Sequence, residues 1–335
     1  MTEKIKLIGV LALFFSLFGG GSAKAISISP PVMEIEANSG DSIERVIEVG
    51  NGTDQERSYS IGVKKFEITG EEGMQSFISV EGDDDFGLTS WIKYEDEKIV
   101  VPPMGSNKFV FTIDVPENAD SGGHYASIYF DTGTPTEDES SDGNSKVGVA
   151  AQIHSLILVR ISGEIIEKAE IEGFGIEKAE KLINRIPVQF IWRLKNNGNV
   201  HIRAQGNIEI KNMLGEKVTL LDANPKNYRV LPGNIRKIES WWGDSSDAGE
   251  DKSSFFQEAK KEFDNFAIGK YTAKLDMVYG KDNGNFLSKE INFWIFPWRI
   301  ALIFLIILIC FAITAVLMVK KYNRWIVKKH IKLRQ

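Results

Sequence analysis

Short runs in which apolar and polar residues alternate recur along most of this chain. Phe109, Phe111, Ile113 and Val115 alternate with Lys108, Val110, Thr112 and Asp114. Val188, Phe190, Trp192 and Leu194 form a second run, and Tyr271, Ala273, Leu275, Met277 and Tyr279 a third. Between His201 and Lys211, Ile202, Ala204, Ile208 and Ile210 fall on one face, with Arg203, Gln205, Asn207, Glu209 and Lys211 opposite. A period of two with one apolar face predicts antiparallel strands resting on a core, and their number suits sandwiches. Turn chemistry separates the runs: Asn38-Ser39-Gly40-Asp41, Asn51-Gly52, Asn196-Asn197-Gly198-Asn199 and Leu231-Pro232-Gly233-Asn234. The pattern predicts an all-β ectodomain of two tandem immunoglobulin-like β-sandwiches, at 26–162 and 163–296. The two show no obvious internal repeat.

Two stretches break the alternation. Residues 132–146 are small, polar and acidic, which predicts a mobile hairpin loop. The second is an insertion at 243–266. Its start, Gly243 to Lys252, has the same polar character, and then Phe255, Phe256, Ala259, Phe263 and Phe266 recur at helical spacing. This predicts either a short helix at 253–265 laid on the sheet or a folded part of a long loop.

Both ends read as membrane machinery. Lys4 and Lys6 precede the apolar run Leu7 to Leu17, and Ala23-Lys24-Ala25 offers a small-residue cleavage site after Ala23 and Ala25, so 1–25 reads as a signal peptide. Ile300 to Val319 is a run of 20 residues without a charge, long enough for the roughly 30 Å hydrocarbon layer. Trp294, Phe296 and Trp298 flank it on one side, Tyr322 and Trp325 on the other, as interfacial aromatic belts do. A transmembrane segment is therefore expected at 297–319, followed by a basic tail at 320–335. Arg299, Lys320, Lys321 and Arg324 are its nearest cations, and no acidic residue follows position 290. The positive-inside rule places the tail in the cytoplasm and the sandwiches outside a single-pass cell membrane.

Net charge is −6 from 40 basic and 46 acidic residues, but the ends hold much of the positive share. Positions 26–290 carry 29 basic against 45 acidic residues, near −16. An acidic ectodomain argues against a nucleic-acid partner, since phosphate binding needs clustered cations.

Candidate chemistry is sparse. There is no G-x-S-x-G elbow, no H-E-x-x-H, no phosphate-binding loop and no dinucleotide fingerprint, so the chain does not read as an enzyme and no cofactor or metal is implied. The one cysteine, Cys310, lies in the apolar run, which excludes an intrachain disulfide and a thiol nucleophile facing substrate. Asp138-Glu139-Ser140-Ser141-Asp142-Gly143 imitates the opening of a calcium loop, but the position that needs a bidentate glutamate is Val149. Asp83-Asp84-Asp85 reads as a solvated acidic loop. His124, His154 and His201 read as ordinary strand residues, and Asn51-Gly52-Thr53 matches a glycosylation sequon by pattern only.

Aromatic faces are the other route to binding. Trp91 and Trp192 sit in apolar stripes and read as core. Tyr94, Trp241 and Trp242 are the binding candidates; adjacent tryptophans on a strand point to opposite faces, so one of the pair should be exposed or covered by the insertion.

Ile26-Ser27-Ile28-Ser29-Pro30-Pro31 opens the first module, and Glu34-Ile35-Glu36-Ala37-Asn38-Ser39-Gly40-Asp41 follows. It continues through Val101-Pro102-Pro103 and Phe111-Thr112-Ile113-Asp114-Val115-Pro116, and closes with Gly122-Gly123-His124-Tyr125-Ala126-Ser127-Ile128. This resembles the N-terminal module of the WxL-interacting protein family of bacterial cell-surface proteins. The resemblance implies a signal peptide, a peptidoglycan-binding sandwich, a second sandwich contacting WxL or host proteins, and a C-terminal anchor. It covers 26–161; the second module departs from it. The expected function is that of a membrane-anchored, non-catalytic surface protein contacting cell-wall glycan or a wall-associated protein through its first sandwich. The alternative is an assembly or chaperone-like factor that captures β-strands of exported proteins by edge addition. An open strand edge beside an apolar groove would favour that alternative, and a shallow aromatic and polar face would favour glycan.

Overall fold

The structure, a computed structural model, describes residues 26–78, 87–131, 152–177, 183–248 and 254–332. The expected signal peptide with Ala23 and Ala25, the polar 132–146 stretch with its calcium-like sequence, and Asp83–Asp85 lie outside the described residues. The chain forms two compact units, one of residues 26–69 and 74–166, the other of residues 70–73 and 167–332. Each has one continuous apolar core.

The first unit is a sandwich of two sheets. One contains β1 (Ile26–Ser29), β3 (Ser42–Asn51), β8 (Ser106–Asp114) and the two-residue β6 (Ile92–Lys93), in the order β1-β3-β8-β6. The other runs β2 (Val32–Ala37), β10 (Gln152–Ile161), β9 (Gly122–Asp131), β4 (Arg57–Thr69), β5 (Met74–Ile78), with β7 (Lys98–Val101) also paired to β4. Pairing is antiparallel except β2 with β10. The alternation read from sequence holds on β8: Phe109, Phe111 and Ile113 point into the core, joined there by Val115. Trp91 is core as expected, but it ends a one-turn helix, α1 (Leu88–Trp91), rather than lying on a strand.

The second unit packs a three-stranded sheet on a four-stranded one. The first is β11 (Ala169–Ile176), β12 (Val188–Asn196), β15 (Ile235–Trp242) in that order. The second joins β13 (Gln205–Lys211), β14 (Lys217–Asp222), β16 (Gly269–Tyr279) and β17 (Asn285–Ile295) in the order β14-β13-β16-β17. The inward residues of β12 and β16 are buried throughout. The His201–Lys211 run is shorter as a strand than its alternation predicts. Ile202 leaves it to form an isolated bridge with Val230, and the strand starts at Gln205. Two helices complete the unit: α2 (Phe255–Asp264) and α3 (Trp298–Lys332).

One polar device recurs in both units. Asn51 ends β3 and is buried. Its Nδ2 donates to the carbonyls of Gln55, Val101 and Pro102, and its Oδ1 accepts from the Thr53 N–H and hydroxyl. Asn196 ends β12 and is likewise buried. Its Nδ2 donates to Val200 and Val230, and its Oδ1 accepts from the Gly198 N–H. In each unit the side chain spans its own turn by four residues and reaches the turn that begins the neighbouring strand. Those distant turns match too. The Gly105 N–H bonds Pro102 and the Asn234 N–H bonds Leu231, both at 3.2 Å, with proline second in each turn. The third positions, Met104 (φ 51°) and Gly233 (φ 74°), are both left-handed, as a type II turn requires. A side chain committed to this many backbone groups and removed from solvent is a loop clasp, which rules the Asn51 sequon out as a glycan site in the folded chain.

Removing either clasp leaves buried carbonyls and an N–H with no partner, at a cost of about 3 kcal/mol. Hydrogen exchange of the full chain, read by mass spectrometry, should show Asn51→Ala loosening the first unit only and Asn196→Ala the second only. Met104→Gly should tighten the first unit by about 0.5–1 kcal/mol by relieving the left-handed methionine.

A pH dependence follows from His154 on β10. Its ring stacks on Phe77 at 3.6 Å between centroids, and its Nδ1 lies 2.8 Å from the hydroxyl of buried Ser127. Burial, with nearby Lys64, pushes it down to about 4 from 6.5. The unfolded chain therefore binds this proton first, so stability present above pH 6.5 is lost as pH falls toward 4. Thermal melts from pH 7 to pH 4 should fall more steeply for the parent chain than for His154→Phe, which lacks the titrating group.

Candidate functional site

The sandwich face formed by β3 and β8 leaves one edge unfinished. Over its whole length β8 pairs with β3, from Ser42↔Asp114 to Gly50↔Ser106. Its other edge is paired only at Thr112 and Ile113, by Lys93 and Ile92 of β6. Asn107 closes the far end, donating its Nδ2 to the Val100 carbonyl and accepting the Lys108 N–H on its Oδ1. That N–H is thus turned away from β3. By the two-residue alternation of an antiparallel ladder, Val110 presents its own N–H and C=O to the same side. Among the described residues no strand pairs with β8 from Lys108 to Phe111.

Beside this window runs an open groove of about 650 Å³. Buried Ile99, Phe109 and Phe111 contribute its apolar lining, with half-exposed Val100 and Val110 along it. Its charged residues have both signs: Lys93, Lys98 and Lys108 against Glu44, Glu95, Asp96 and Asp114. Tyr94 lines the groove with its ring edge-on to Phe109 at 5.6 Å, and burial pushes its phenol up, so it keeps its proton at neutral pH.

Tyr94 belongs to the first unit, the tryptophan pair to the second. Trp242 is interior, packed edge-on against Tyr271 at 5.2 Å and Phe293 at 6.5 Å, so its ring is unavailable to a ligand and that expectation is corrected. Trp241 faces outward from the same strand and is half-buried. Among the described residues no three histidine, cysteine or acidic side chains gather as a metal site would need.

The anchor candidates converge on the start of α3. This is one helix long and apolar enough to cross a membrane, with a mean hydropathy of 3.3 in its most apolar stretch and none of that stretch buried. It begins directly after Phe296-Pro297 and continues to Lys332, so Lys320, Lys321 and Arg324 prolong the helix rather than start a separate tail. Trp294 is exposed on β17, and the Arg299 guanidinium lies over the Trp298 ring at 4.7 Å.

Arg299 has a second role that the sequence did not show. Glu262 of α2 has no exposed surface, yet it is a carboxylate and has to find its donors inside the protein. Its Oε2 accepts the backbone N–H groups of Arg299 and Ile300 at 3.1 and 3.2 Å. Its Oε1 accepts the Arg299 guanidinium at 2.7 Å and the Asn184 amide at 2.8 Å. A carboxylate borrowed from another helix thus caps α3, where Pro297 supplies no side-chain cap. The Ser254-x-x-Gln257 capping box at the start of α2 was a readable signal for that helix. Its placement was not readable. The expected packing on the sheet is corrected: Ala259 and Glu262 are the buried residues, the Phe255 ring meets Trp298 at 6.0 Å, and the other phenylalanines are exposed.

No family model matches this chain, and no curated protein does. Solved structures of similar fold include the class 5 fimbriae chaperone CfaA, at 14% identity over 79% of this chain and 98% of that one, with a TM-score of 0.39. The chaperone DraB of E. coli is 10% identical over 81% and 97%, with a TM-score of 0.34. A protein of unknown function from Porphyromonas gingivalis is 11% identical over 80% and 98%, with a TM-score of 0.27. These are low similarities, and no functional assignment rests on them.

Glu262→Ala would remove the shorter of the two carboxylate partners of Arg299, leaving it Glu258 at 4.0 Å, and would uncap α3, at about 3 kcal/mol. Glu262→Gln keeps an acceptor and should cost less. Protease sensitivity of the 254–300 region in detergent should rise in the order parent, Gln, Ala.

Proposed function

We propose that this protein is a membrane-tethered, non-catalytic binding protein that captures an extended segment of a protein partner along the open edge of β8. The observation that supports this reading is the Lys108–Phe111 window beside a groove of mixed polar and apolar lining. An added strand would exchange main-chain hydrogen bonds with Val110 and lay side chains against the half-exposed Val100 and Val110. The mixed charges at the groove would select among partners by complementarity at the flanking positions. This is the assembly or chaperone-like alternative, preferred here to glycan binding because Trp242 is buried and Tyr94 is half-buried against Phe109, so neither offers an open ring face. In the same reading α3 anchors the protein and its basic C-terminal part sets the tail in the cytoplasm, with both sandwiches on the opposite side.

The Val110 N–H does not serve the β3 ladder, so a proline there is tolerable on an edge while blocking the added strand. A photo-crosslinking residue at Lys108 in the full chain, in native membranes, should yield adducts with polypeptide. Val110→Pro should reduce them up to about tenfold, the worth of roughly one main-chain hydrogen bond, with an unchanged melting temperature. Adducts with wall fragments instead, or yields indifferent to the proline, would refute strand capture.

A further inference from the structure

The second unit exposes large apolar side chains at one end. On α2, Phe256 and Phe263 are 75% and 71% exposed. At 100° per residue they lie within about 20° of each other and roughly 80° from the buried direction of Ala259 and Glu262. Phe266 and Ile268, both about half exposed, follow before β16 begins at Gly269. The turn between β13 and β14 adds Met213 and Leu214, 62% and 77% exposed. It lies at the same end, since the Met213 methyl sits against the backbone of Gly269. Gly269 pairs with Ile295, next to exposed Trp294 and two residues from Pro297, where α3 leaves the sheet. Three separate elements therefore present apolar side chains around the start of α3, among the described residues the one helix long and apolar enough to cross a membrane.

Hairpin turns and surface helices of a protein in water carry polar tips, and a cluster this large marks a contact. Its continuity with α3 identifies the medium. We propose that the α2 flank and the Met213-Leu214 turn are immersed in the interfacial layer of the bilayer that α3 enters. The proposal rests on α3 spanning that bilayer. Exposed Lys260 borders the Phe256/Phe263 flank, placed to reach lipid phosphates while its stem lies among acyl chains. The buried Glu262 contacts fix the flank relative to α3, so insertion needs no rearrangement. Three contact elements restrain rotation and tilt as one helix cannot.

The test uses the full chain with Cys310→Ser, reconstituted in vesicles of phosphatidylcholine and phosphatidylglycerol. Single cysteines at Leu214, Phe263, Ile306 and Lys281 carry spin labels, and collision with oxygen and with a water-soluble nickel chelate reports depth. Lys281 lies past the other end of β16, about 30 Å away, and is the aqueous reference. Labels at Leu214 and Phe263 should lie about 5–10 Å below the phosphates, with an oxygen-to-nickel ratio several-fold above that at Lys281, and Ile306 should be deepest. Leu214 and Phe263 as wet as Lys281, with Ile306 deep, overturns immersion and leaves the span intact. A wet Ile306 overturns the span and the proposal with it. Immobilised labels shielded from both reagents would mean a protein covers this end, and would also overturn it.

Discussion

A carboxylate with no surface open to water has to find its donors inside the protein, and Glu262 finds four. Two are the backbone N–H groups that begin α3, one is the Arg299 guanidinium and one the Asn184 amide. Removing any donor leaves the carboxylate poorly compensated, so the set is held together by the cost of breaking it. Through this one side chain, α2 and the first turn of α3 share a fixed geometry. The direction in which α3 leaves the β-sheet and the direction in which the phenylalanines of α2 face are the same decision.

That junction also shows why part of the molecule could be read from sequence and part could not. Alternation located β8, β12 and β16 with their inward residues, because a period of two is imposed by the strand itself whatever it packs against. The span was legible for a similar reason: length and absence of charge are local properties. The spacing at 255–264 left helix and folded loop open, and the Ser254-x-x-Gln257 capping box that would have decided for the helix went unread. The apolar positions of that helix, however, reveal only which flank avoids water, not whether protein or lipid takes water's place. The helical reading lays the phenylalanines on the sheet, whereas Phe256 and Phe263 face outward and Glu262, to which it assigns no role, is the buried residue. Trp91 fails differently: a single helical turn is too short to leave a period.

The open edge of β8 depends on a contact between strands far apart in the chain, so no motif could announce it. Its exposure is nonetheless contained. β6 covers one end with two residues, Asn107 folds back over the other, and charges of both signs border the groove. These are the means by which sheets keep an edge from pairing indiscriminately. The window left is about four residues, which favours a short, sequence-selective addition over open-ended strand stacking.

The two asparagine clasps make the units chemically related despite sequences that look unrelated, and they differ in durability. An asparagine followed by glycine is the most readily deamidated dipeptide, because the next backbone nitrogen can attack the side-chain carbonyl with little hindrance. In the first unit the clasp itself, Asn51, precedes Gly52. In the second, the residue before Gly198 is Asn197, one place outside the clasp, where its amide merely meets Glu170 at the surface. Conversion of Asn197 would add a charge to an exposed turn. Conversion of Asn51 would set a carboxylate against three carbonyl oxygens in a buried site, and the hydrogen bonds that hold Asn51 are also what keeps its side-chain carbonyl from the Gly52 nitrogen, so the clasp guards itself as long as the first unit stays folded.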